Sequence, residues 1–317
     1  MFNNTRRIFY RKTTVTTIWA PGATSSTSLA IHGGAGARPS LLNDDEKVEY
    51  HQALERSLLA GKDVLDAGGS AIDAVCASVM VMEDSPLFNS AHGAALNADG
   101  LAELDASVML GSGRAGAIAG SKIARNPVLA ARAVMERTKH VLLIDPDEQR
   151  LAEWGIETVD RDYFITPARV AQLAKLQAEK STGPKHGTVG AVARDMHGNL
   201  AAATSTGGTA NQFVGRVGDT PVIGAGTWAD SDVVAISCTG QGEYFLRQAT
   251  AHDIHARMAY GGVDLRTAVA ATMAALGDAG GLGGLIALDA AGDAVLVFNS
   301  EGMFCGHLEN GAAVTNV

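Results

Sequence analysis

The chain has 317 residues, of which 46% are hydrophobic and 19% are charged, and its formal net charge is −9. This apolar fraction is typical of globular proteins, and the length suffices for one large domain or two ordinary ones. The acidic balance argues against a nucleic-acid partner, because no basic stripe is present to neutralise phosphates. No uncharged apolar run reaches the roughly 18 residues of a membrane span, so a membrane partner is not expected either.

Cysteine and glycine usage narrows the class further. The three cysteines, Cys76, Cys238 and Cys305, are far apart and odd in number, which fits neither a disulfide framework nor a zinc cluster. There are 37 glycines and only 8 prolines. This composition indicates a tightly packed protein with many close backbone approaches.

Residues 1–28 differ in composition from the rest of the chain. They include four basic residues, no acidic one, and a stretch rich in threonine and serine. We predict a disordered tail here and a cytoplasmic protein. The alternative is an exported protein, because Thr5-Arg6-Arg7-Ile8-Phe9 is similar to a twin-arginine signal and the composition to a transit peptide. Against both, the apolar stretch Thr13–Ala20 is short and half threonine.

The first half of the chain shows one strand followed by helices. Leu29–His32 predicts a strand that ends in a glycine turn at residues 33–37. Asn43 and Ser70 are each expected to begin a helix, and Asn126-Pro127 opens a third over Val128–Thr138. A polar segment, Ala178–Gly187, is predicted to be a flexible linker.

The second half is richer in strands. Thr188–Arg194 and Leu200–Thr206 predict a hairpin joined by residues 195–199. Further elements are predicted as a strand at Val233–Cys238, helices near Glu243–Tyr260 and Asp264–Leu276, and a hairpin of Leu285–Asp289 with Ala294–Phe298. Because strands and helices come in blocks rather than in strict alternation, we expect sheets packed together with helices outside.

Two motif types point to other chemistry. Gly33-Gly34-Ala35-Gly36 and Gly224-Ala225-Gly226 would suit a nucleotide-binding oxidoreductase, but a dinucleotide fingerprint must open a helix and neither cluster is predicted to. His252 and His255 lie three apart on a predicted helix and would suit a metal, yet no third ligand is evident. Solvated or core histidines are the simpler interpretation.

The most informative motif is Gly187-Thr188-Val189-Gly190, at the junction of the predicted linker and a strand. A threonine hydroxyl is a poor nucleophile unless a base lies beside it. An N-terminal threonine meets that need, because its own α-amine can take the hydroxyl proton near neutral pH. Cleavage of the Gly187–Thr188 bond would expose that amine. Taken alone, a Gly-Thr pair before a strand is common, and an ordinary strand entry would be the preferred interpretation.

The wider pattern of motifs decides between these interpretations. Eight further motifs occur in a fixed order: Ile31-His32-Gly33-Gly34-Ala35-Gly36, Pro86-Leu87-Phe88-Asn89, Glu103-Leu104-Asp105-Ala106, Arg125-Asn126-Pro127-Val128-Leu129-Ala130, Thr204-Ser205-Thr206-Gly207-Gly208, Gly215-Arg216-Val217-Gly218-Asp219, Thr239-Gly240-Gln241-Gly242-Glu243 and Asn299-Ser300-Glu301-Gly302-Met303. With them, residues 29–303 resemble the plant-type asparaginase and isoaspartyl peptidase family of N-terminal-nucleophile (Ntn) hydrolases. The resemblance implies an α+β fold, an αββα sandwich with two central antiparallel sheets, in one domain over residues 29–317.

The resemblance also implies roles for individual residues. Thr188 would be the nucleophile, freed by autocleavage into an α chain ending at Gly187 and a β chain of residues 188–317, and Thr206 would orient it. Thr239 and the Gly240 amide would form the oxyanion hole. The substrate would be bound by Arg216 at its α-carboxylate, by Asp219 at its α-ammonium, and by Gly242 and Asn89 lining the site.

No cofactor is implied for catalysis, although a structural sodium ion is. Relatives bind it through the backbone carbonyls of a loop that matches Met82, Glu83, Ser85, Phe88, Ser90 and His92. Relatives commonly have Asn-Ala-Gly where this chain has Asn89-Ser90-Ala91, so a glycine of that loop is replaced.

The predicted activity is hydrolysis of β-aspartyl dipeptides and of L-asparagine through an acyl-enzyme, by an (αβ)₂ assembly of cleaved protomers. Within the same class, a glycosylasparaginase-type amidase is the alternative. Outside it, the alternatives are the nucleotide-binding oxidoreductase and an uncleaved, non-enzymatic protein of the same fold.

Overall fold

The computed structural model describes residues 14–22, 27–36, 39–181 and 187–317. The strands are β1 Thr16–Ala20, β2 Ser28–Ala35, β3 Leu104–Leu110, β4 Ala115–Ser121, β5 Leu142–Ile144, β6 Val189–Arg194, β7 Leu200–Thr206, β8 Thr227–Asp230, β9 Val234–Gly240, β10 Gly283–Asp289, β11 Ala294–Phe298, β12 Met303–Glu309 and β13 Ala312–Asn316. The α-helices are α1 Asp44–Asp66, α2 Ala71–Glu83, α3 Pro127–Arg137, α4 Glu148–Glu153, α5 Pro167–Ala178, α6 Gly242–Gln248, α7 Thr250–Ala259 and α8 Leu265–Asp278.

The strands of the described residues form two sheets. One has five strands in the order β1-β11-β10-β9-β8, and the other has eight in the order β13-β12-β2-β6-β7-β3-β4-β5. Every neighbouring pair is antiparallel except β4 and β5, which are parallel. The expectation of two antiparallel sheets is wrong at this one pair. The chain passes from β4 through α3 before entering β5, and such a crossover permits parallel pairing.

Alternation along single strands places the sheets in the middle of four layers. On β6, Val189 and Ala191 pack in the core with α1 and α2, whereas Val192 packs between the two sheets. On β9, Ile236 packs with α7 and α8, whereas Ala235 packs between the sheets. Because successive side chains point to opposite faces, each sheet carries helices on one face and the other sheet on its second face. The predicted αββα architecture is confirmed.

Several helix predictions are confirmed by their caps. The Asn43 side chain accepts the Glu46 N–H and the Glu46 side chain accepts the Asn43 N–H, which makes a capping box at the start of α1. Ser70 caps α2, and Pro127 stands at the start of α3. The single helix predicted near Glu243–Tyr260 is wrong, because Ala249 adopts a left-handed φ of 47° and separates α6 from α7.

The prediction of a disordered tail over residues 1–28 is wrong where the structure describes it. Strand β1 pairs with β11 from Thr16 opposite Phe298 to Ala20 opposite Ala294. Threonine and other β-branched residues favour an extended pleated strand, which is why this threonine-rich run adds to the sheet edge. Residues 1–13 and 23–26, with the twin-arginine-like run, lie outside the described residues. No helix of the described part is long and apolar enough to cross a membrane.

The glycine motif after Leu29 belongs to a strand rather than to a turn. Strand β2 continues through Gly33 and Gly34 to Ala35, where it still pairs with β12. Gly34 has a φ of 114°, a conformation that side chains rarely adopt. The predicted turn is therefore wrong, and β2 reaches further towards residue 187. Of the predicted linker, residues 182–186 lie outside the described part of the chain.

Candidate active site

Thr188 lies directly before β6, and the register of the hairpin brings it to Thr206 at the end of β7. Val189 pairs with Ser205, so the two threonines meet at the next position. The Thr188 hydroxyl donates to Thr206 Oγ1 at 3.1 Å, and both side chains are buried. The Gly208 N–H also donates to Thr206 Oγ1, at 3.1 Å. Two donors therefore fix this oxygen, and the structure brings together the two threonines that the sequence pairs.

No base touches the Thr188 hydroxyl in the described part of the chain. There, Thr206 is the only side chain hydrogen-bonded to Thr188 Oγ1, and neither a carboxylate nor an imidazole reaches it. A hydroxyl needs such a base to become a nucleophile. In the continuous chain the Thr188 nitrogen is itself a peptide nitrogen, so it is not a base in this form.

The peptide before Thr188 is held tightly on two sides. Gly187 has a φ of 103°, and a Cβ added at Gly34 would overlap the Gly187 Cα atom. On the other side, a Cβ added at Gly187 would come within 2.8 Å of Asn89 Cβ. The Asn89 amide donates to the Gly208 carbonyl at 2.7 Å and accepts the Ala95 N–H at 2.6 Å. Asn89 therefore lies beside the junction, and its amide holds neighbouring loops; its role in binding substrate stays a prediction.

His32 contacts the nucleophile from β2, and sequence reasoning gave it no role. Its Nδ1 lies 2.9 Å from the Thr188 carbonyl oxygen and its Nε2 lies 2.8 Å from Ser237 Oγ on β9. Burial lowers the pKa of His32 to about 3, against a smaller opposing effect of the bond to Thr188. The imidazole is therefore neutral. The motif beginning at Ile31 was the available signal.

Thr239 and Gly240 lie at the end of β9, next to the segment that holds Gly187. The Thr239 Oγ1 accepts the Ala35 N–H at 3.0 Å, so its own hydrogen is left to donate. Gly240 has a φ of 145° and lies against Gly283 of β10. The predicted oxyanion pair therefore sits beside the residues that hold Gly187.

Arg216, Asp219 and Gly242, which the sequence assigns to substrate binding, lie close together. A Cβ added at Gly242 would lie 2.7 Å from Asp219 Oδ1 and 2.9 Å from Arg216 Nη2, so only glycine leaves room for both. Arg216 donates through Nε and Nη2 to Glu243 Oε1, at 3.1 and 3.0 Å. Sequence reasoning quoted Glu243 within a motif without giving it this contact.

Asp219 is the most exceptional group of this set. It is 4% exposed, and its Oδ2 has no hydrogen-bond partner among the described residues. Burial raises the pKa of Asp219 to about 7, although the nearby Arg216 acts to lower it. An unpaired buried carboxylate oxygen is costly, and binding a cation would relieve that cost.

Two acidic side chains, of Glu103 directly before β3 and of Asp105 within it, hold the loop that carries Arg216 and Asp219. Both Glu103 carboxylate oxygens accept the Gly215 N–H, each at 3.1 Å. Asp105 accepts the Gly120 N–H at 2.9 Å and also the Gly218 N–H. Burial raises the pKa of Asp105 to about 6. Sequence reasoning missed both roles, although two acidic residues at alternate positions before an apolar strand are an unusual signal.

The loop predicted to bind sodium is compact. A Cβ added at Gly93 would overlap the Phe88 carbonyl oxygen and lie 2.7 Å from that of Pro86, so these two carbonyls point towards Gly93. Ala91 has a φ of 42° and keeps a left-handed conformation where relatives commonly have glycine. Carbonyl oxygens are the ligands that hard cations take, which fits the ion. The carbonyls that would hold it belong to Met82, Glu83, Ser85, Phe88, Ser90 and His92.

Glu83 links this loop to the hairpin of β6 and β7 through a hydrogen bond. Its Oε1 accepts the Ser205 hydroxyl at 2.6 Å and the Val128 N–H at 3.0 Å, while Oε2 has no partner in the described part of the structure. Burial raises the pKa of Glu83 to about 8. The carboxyl is therefore largely protonated at neutral pH, and it is tied to the residue next to Thr206.

The motifs that suggested other chemistry fall elsewhere. The first glycine cluster lies at the end of β2 and the second in a turn before β8, so neither opens a helix. His255 Nε2 bonds to Asp230 Oδ2 at 2.8 Å, and its ring packs against Trp228. In the described residues no three His, Cys, Asp or Glu side chains are placed to hold a metal ion.

Comparison with known proteins agrees with this geometry. A family model described as asparaginase matches residues 25–316. The isoaspartyl peptidase of Salmonella typhimurium is 48% identical over 291 residues, which cover 87% of this chain and 93% of that protein. The isoaspartyl peptidase of Escherichia coli is 46% identical, with 87% and 91% covered. The isoaspartyl peptidase/L-asparaginase of Homo sapiens is 40% identical, with the same coverage of 87% and 91%. The chain belongs to the asparaginase family.

Proposed function

We propose that this enzyme hydrolyses the β-aspartyl amide bond of isoaspartyl dipeptides and of L-asparagine. One observation carries the proposal: Thr188, buried directly before β6, donates to the buried Thr206 at the end of β7, and no carboxylate or imidazole of the described residues is hydrogen-bonded to its hydroxyl. The names of the relatives support the substrate class, since they are isoaspartyl peptidases and L-asparaginases.

The first step is cleavage of the peptide between Gly187 and Thr188. It yields an α chain ending at Gly187 and a β chain of residues 188–317. Gly187 in a conformation that side chains rarely adopt, pressed between Gly34 and Asn89, supports a strained bond at this place. Cleavage frees the Thr188 amine, whose unperturbed pKa of about 7.7–8.0 suits a general base near neutral pH.

Catalysis then follows the groups around Thr188. The amine takes the proton of the Thr188 hydroxyl, and Oγ1 attacks the side-chain carbonyl of the aspartyl group. The Thr239 hydroxyl and the Gly240 N–H donate to the oxyanion, and such a donor is worth roughly 2.7–4 kcal/mol in the transition state. The protonated amine passes its proton to the leaving amine, which leaves an acyl-enzyme. Water, deprotonated by the same amine, releases aspartate.

The charged groups would bind the aspartyl part, which isoaspartyl dipeptides and L-asparagine share. Arg216 would bind the α-carboxylate with its planar fork, and the unpaired oxygen of Asp219 would accept from the α-ammonium. Glu243 already occupies two guanidinium nitrogens, so the substrate carboxylate must approach the remaining donors or displace it. Because an isoaspartyl dipeptide and asparagine differ only in the leaving amine, both meet the same contacts.

A substrate panel tests this function. Purified protein is assayed for released aspartate with β-Asp-Leu, L-asparagine and a glycosylated asparagine, alongside T188A and T188S. The proposal expects turnover of the first two by wild type, none by T188A, and weak turnover by T188S, which keeps a hydroxyl. Turnover of the glycosylated substrate alone would make the chain a glycosylasparaginase-type amidase. Undiminished activity of T188A would remove Thr188 as nucleophile.

Assembly and cation binding belong to the same proposal. We expect two cleaved protomers to associate as (αβ)₂, and the loop at residues 82–92 to bind one structural sodium ion that takes no part in the reaction. Family resemblance supports the assembly, and the two carbonyls that point towards Gly93 support the ion. Light scattering should give twice the 32.7 kDa chain mass, whereas a monomer would exclude the assembly. Replacing Na⁺ by Li⁺ should lower the melting temperature, and an unchanged value would argue against the ion.

A further inference from the structure

A chain of buried polar groups begins at Thr188 and runs between the two sheets. After His32 and Ser237 it continues through three hydroxyls: Thr204 Oγ1 lies 2.7 Å from Ser237 Oγ and 2.6 Å from Thr227 Oγ1, and Ser107 Oγ lies 2.7 Å from Thr227 Oγ1. It ends where Ser107 donates to the Thr220 carbonyl at 2.6 Å. All five side chains are 0% exposed, and a cluster of buried apolar side chains also lies between the sheets.

Hydrogen counting gives this chain of groups a direction. The Thr188 carbonyl has no hydrogen, so His32 Nδ1 must donate to it. Neutral His32 then has a bare Nε2, which accepts from Ser237. Because each hydroxyl has one hydrogen, Thr204 donates to Ser237 and Thr227 donates to Thr204. Ser107 is left with one hydrogen facing two acceptors, Thr227 and the Thr220 carbonyl.

The sequence leaves space for this contact at one particular glycine. Gly190 pairs with His32 across β6 and β2. A Cβ added at Gly190 would overlap Ser237 Oγ and lie 2.5 Å from His32 Nε2. The glycine that follows the nucleophile by two positions therefore lets three strands, β2, β6 and β9, meet at the imidazole.

We propose that His32 is a positioning residue for Thr188: its Nδ1–H holds the Thr188 carbonyl, and the hydroxyls of Ser237, Thr204, Thr227 and Ser107 keep the ring in that tautomer. The inference rests on the proposed role of Thr188 as nucleophile. The imidazole does not touch Oγ1, so it acts through the Thr188 backbone, which sets where the amine and the hydroxyl point. A backbone misplaced by about 1 Å can cost a rate factor of about 100.

Two substitutions separate the two ring nitrogens. In H32N the amide nitrogen can take the place of Nδ1 and donate to the Thr188 carbonyl, whereas in H32Q the longer side chain reaches the place of Nε2. We expect H32Q to lower kcat on the order of 100-fold with little change in KM, and H32N to stay within about tenfold of wild type. If His32 only fills space, kcat should not be higher in H32N than in H32Q. Equal kcat for H32Q and wild type would overturn the inference.

A third variant keeps the imidazole and removes its partner. S237A deletes the donor to Nε2, so the ring loses the contact that selects its tautomer, and kcat should fall while KM changes little. The matched control is S121A, because Ser121 is buried and its Oγ has no hydrogen-bond partner in the described residues. Unchanged kcat in S237A, with S121A also unchanged, would contradict the role of the hydroxyls.

The tautomer can be read without activity. In ¹⁵N NMR of histidine-labelled protein, the signals missing from H32N identify His32. A protonated Nδ1 and a bare Nε2 from about pH 5 to about pH 8 are expected, and a protonated Nε2 would overturn the inference. If the wild type itself remains uncleaved and inactive, the proposed function fails. The NMR result still tests the hydrogen bond from His32 Nδ1 to the Thr188 carbonyl. Should wild type be active while H32Q matches it, only the inference fails.

Discussion

The candidate site has two regions of opposite character. The nucleophile end is built from hydroxyls, a neutral imidazole and the Asn89 amide, the first two from Thr188, Thr206, Thr239, Ser237 and His32. The charged end contains a guanidinium with carboxylates around it, from Arg216, Asp219, Glu243 and Asp105. The nucleophile end is buried, and in the charged end Asp219 and Asp105 are buried whereas half of the Glu243 side chain is exposed, so the two ends differ mainly in charge.

The contrast divides the chemistry between the two regions. At the uncharged end, the proposed mechanism assigns the movement of protons to the α-amine of Thr188. A charged end suits a zwitterionic amino acid, because it presents a cation and a carboxylate with an unpaired oxygen. Substitutions at the first end should therefore change kcat or cleavage, and substitutions at the second should change KM.

The largest effect is expected from G34A at the nucleophile end. A methyl group at Gly34 would overlap Gly187 Cα and would also meet a φ of 114°. We expect the Gly187–Thr188 junction to be displaced and self-cleavage to slow by about 100-fold or more, followed on a denaturing gel.

The control for that substitution is G113A. Gly113 also has a left-handed φ, of 90°, but a Cβ there would meet nothing within 4 Å. G113A should be destabilised by roughly 1 kcal/mol, similar to the backbone strain in G34A, and it should self-cleave at the wild-type rate. Equal slowing in both variants would mean that general destabilisation, and not the contact with Gly187, controls cleavage.

Next in size is R216K at the charged end. Lysine keeps the charge but offers no planar fork, so one charged hydrogen bond to the substrate carboxylate should be lost. Such a bond is worth about 1.5–3 kcal/mol, so KM should rise by about 10- to 100-fold while cleavage proceeds normally.

E243Q sharpens the same comparison. The Arg216–Glu243 pair is partly exposed, with half of the Glu243 side chain open to solvent, so its loss should change KM by less than about fivefold. A larger effect of E243Q than of R216K would show that Glu243, and not Arg216, determines substrate affinity.

A smaller effect is expected in the pH profile. With its pKa raised to about 7, Asp219 of the free enzyme takes up a proton as the pH falls below that value and loses its attraction for an ammonium group. The Thr188 amine also loses its base form on the acid side. As the pH falls, wild-type kcat/KM should therefore decrease through two protonations, of Asp219 and of the Thr188 amine. In D219N, kcat/KM should be lower at every pH and should decrease through one protonation only, that of the amine.

The same carboxylate has a signature in stability. Its folded pKa lies above the ordinary 3.8, so the folded state holds the proton more tightly, and the unfolding free energy should decrease as the pH rises from about 4 to about 7. D219N should lack that part of the decrease. Identical pH dependence of stability and of kcat/KM in the two proteins would argue against a buried, titrating Asp219.

The smallest effect is expected from E103Q. Glutamine keeps one acceptor for the Gly215 N–H and loses the charge, so the loop carrying Arg216 should loosen slightly, and KM should rise about two- to fivefold. E157Q is the control, because Glu157 pairs with Arg125 at the surface and its side chain is 62% exposed. A fall in cleavage rate with E103Q would break the separation of the two regions.

Much of the fold could be predicted from local signals. Asn43, Ser70 and Asp195 stand at caps and turns whose chemistry depends on nearby residues only, and the hairpin of β6 and β7 follows from its turn. Strand β4 could not be predicted in this way, because it has the sequence AGAIAGS and most of its residues are buried. A strand covered on both faces loses the polar alternation on which prediction depends.

The site divides in the same way. Thr188 and Thr206 follow from one hairpin, and Arg216 and Asp219 lie in one loop, so sequence motifs sufficed for these contacts. His32 bonds to residues 156 and 205 positions away, and Glu103 bonds to a residue 112 positions away. Contacts across that distance depend on the order of strands in the sheets, which no local pattern contains.

The central claim is that the nucleophile is a threonine whose amine is freed by cleavage. The most direct measurement is the intact mass and N-terminal sequence of the fragments of purified wild type and T188A. We expect a wild-type fragment that begins with Thr188 and contains residues 188–317, and a single uncleaved chain for T188A. A fully active wild-type protein that remains one chain, or that is cleaved at another bond, would contradict it.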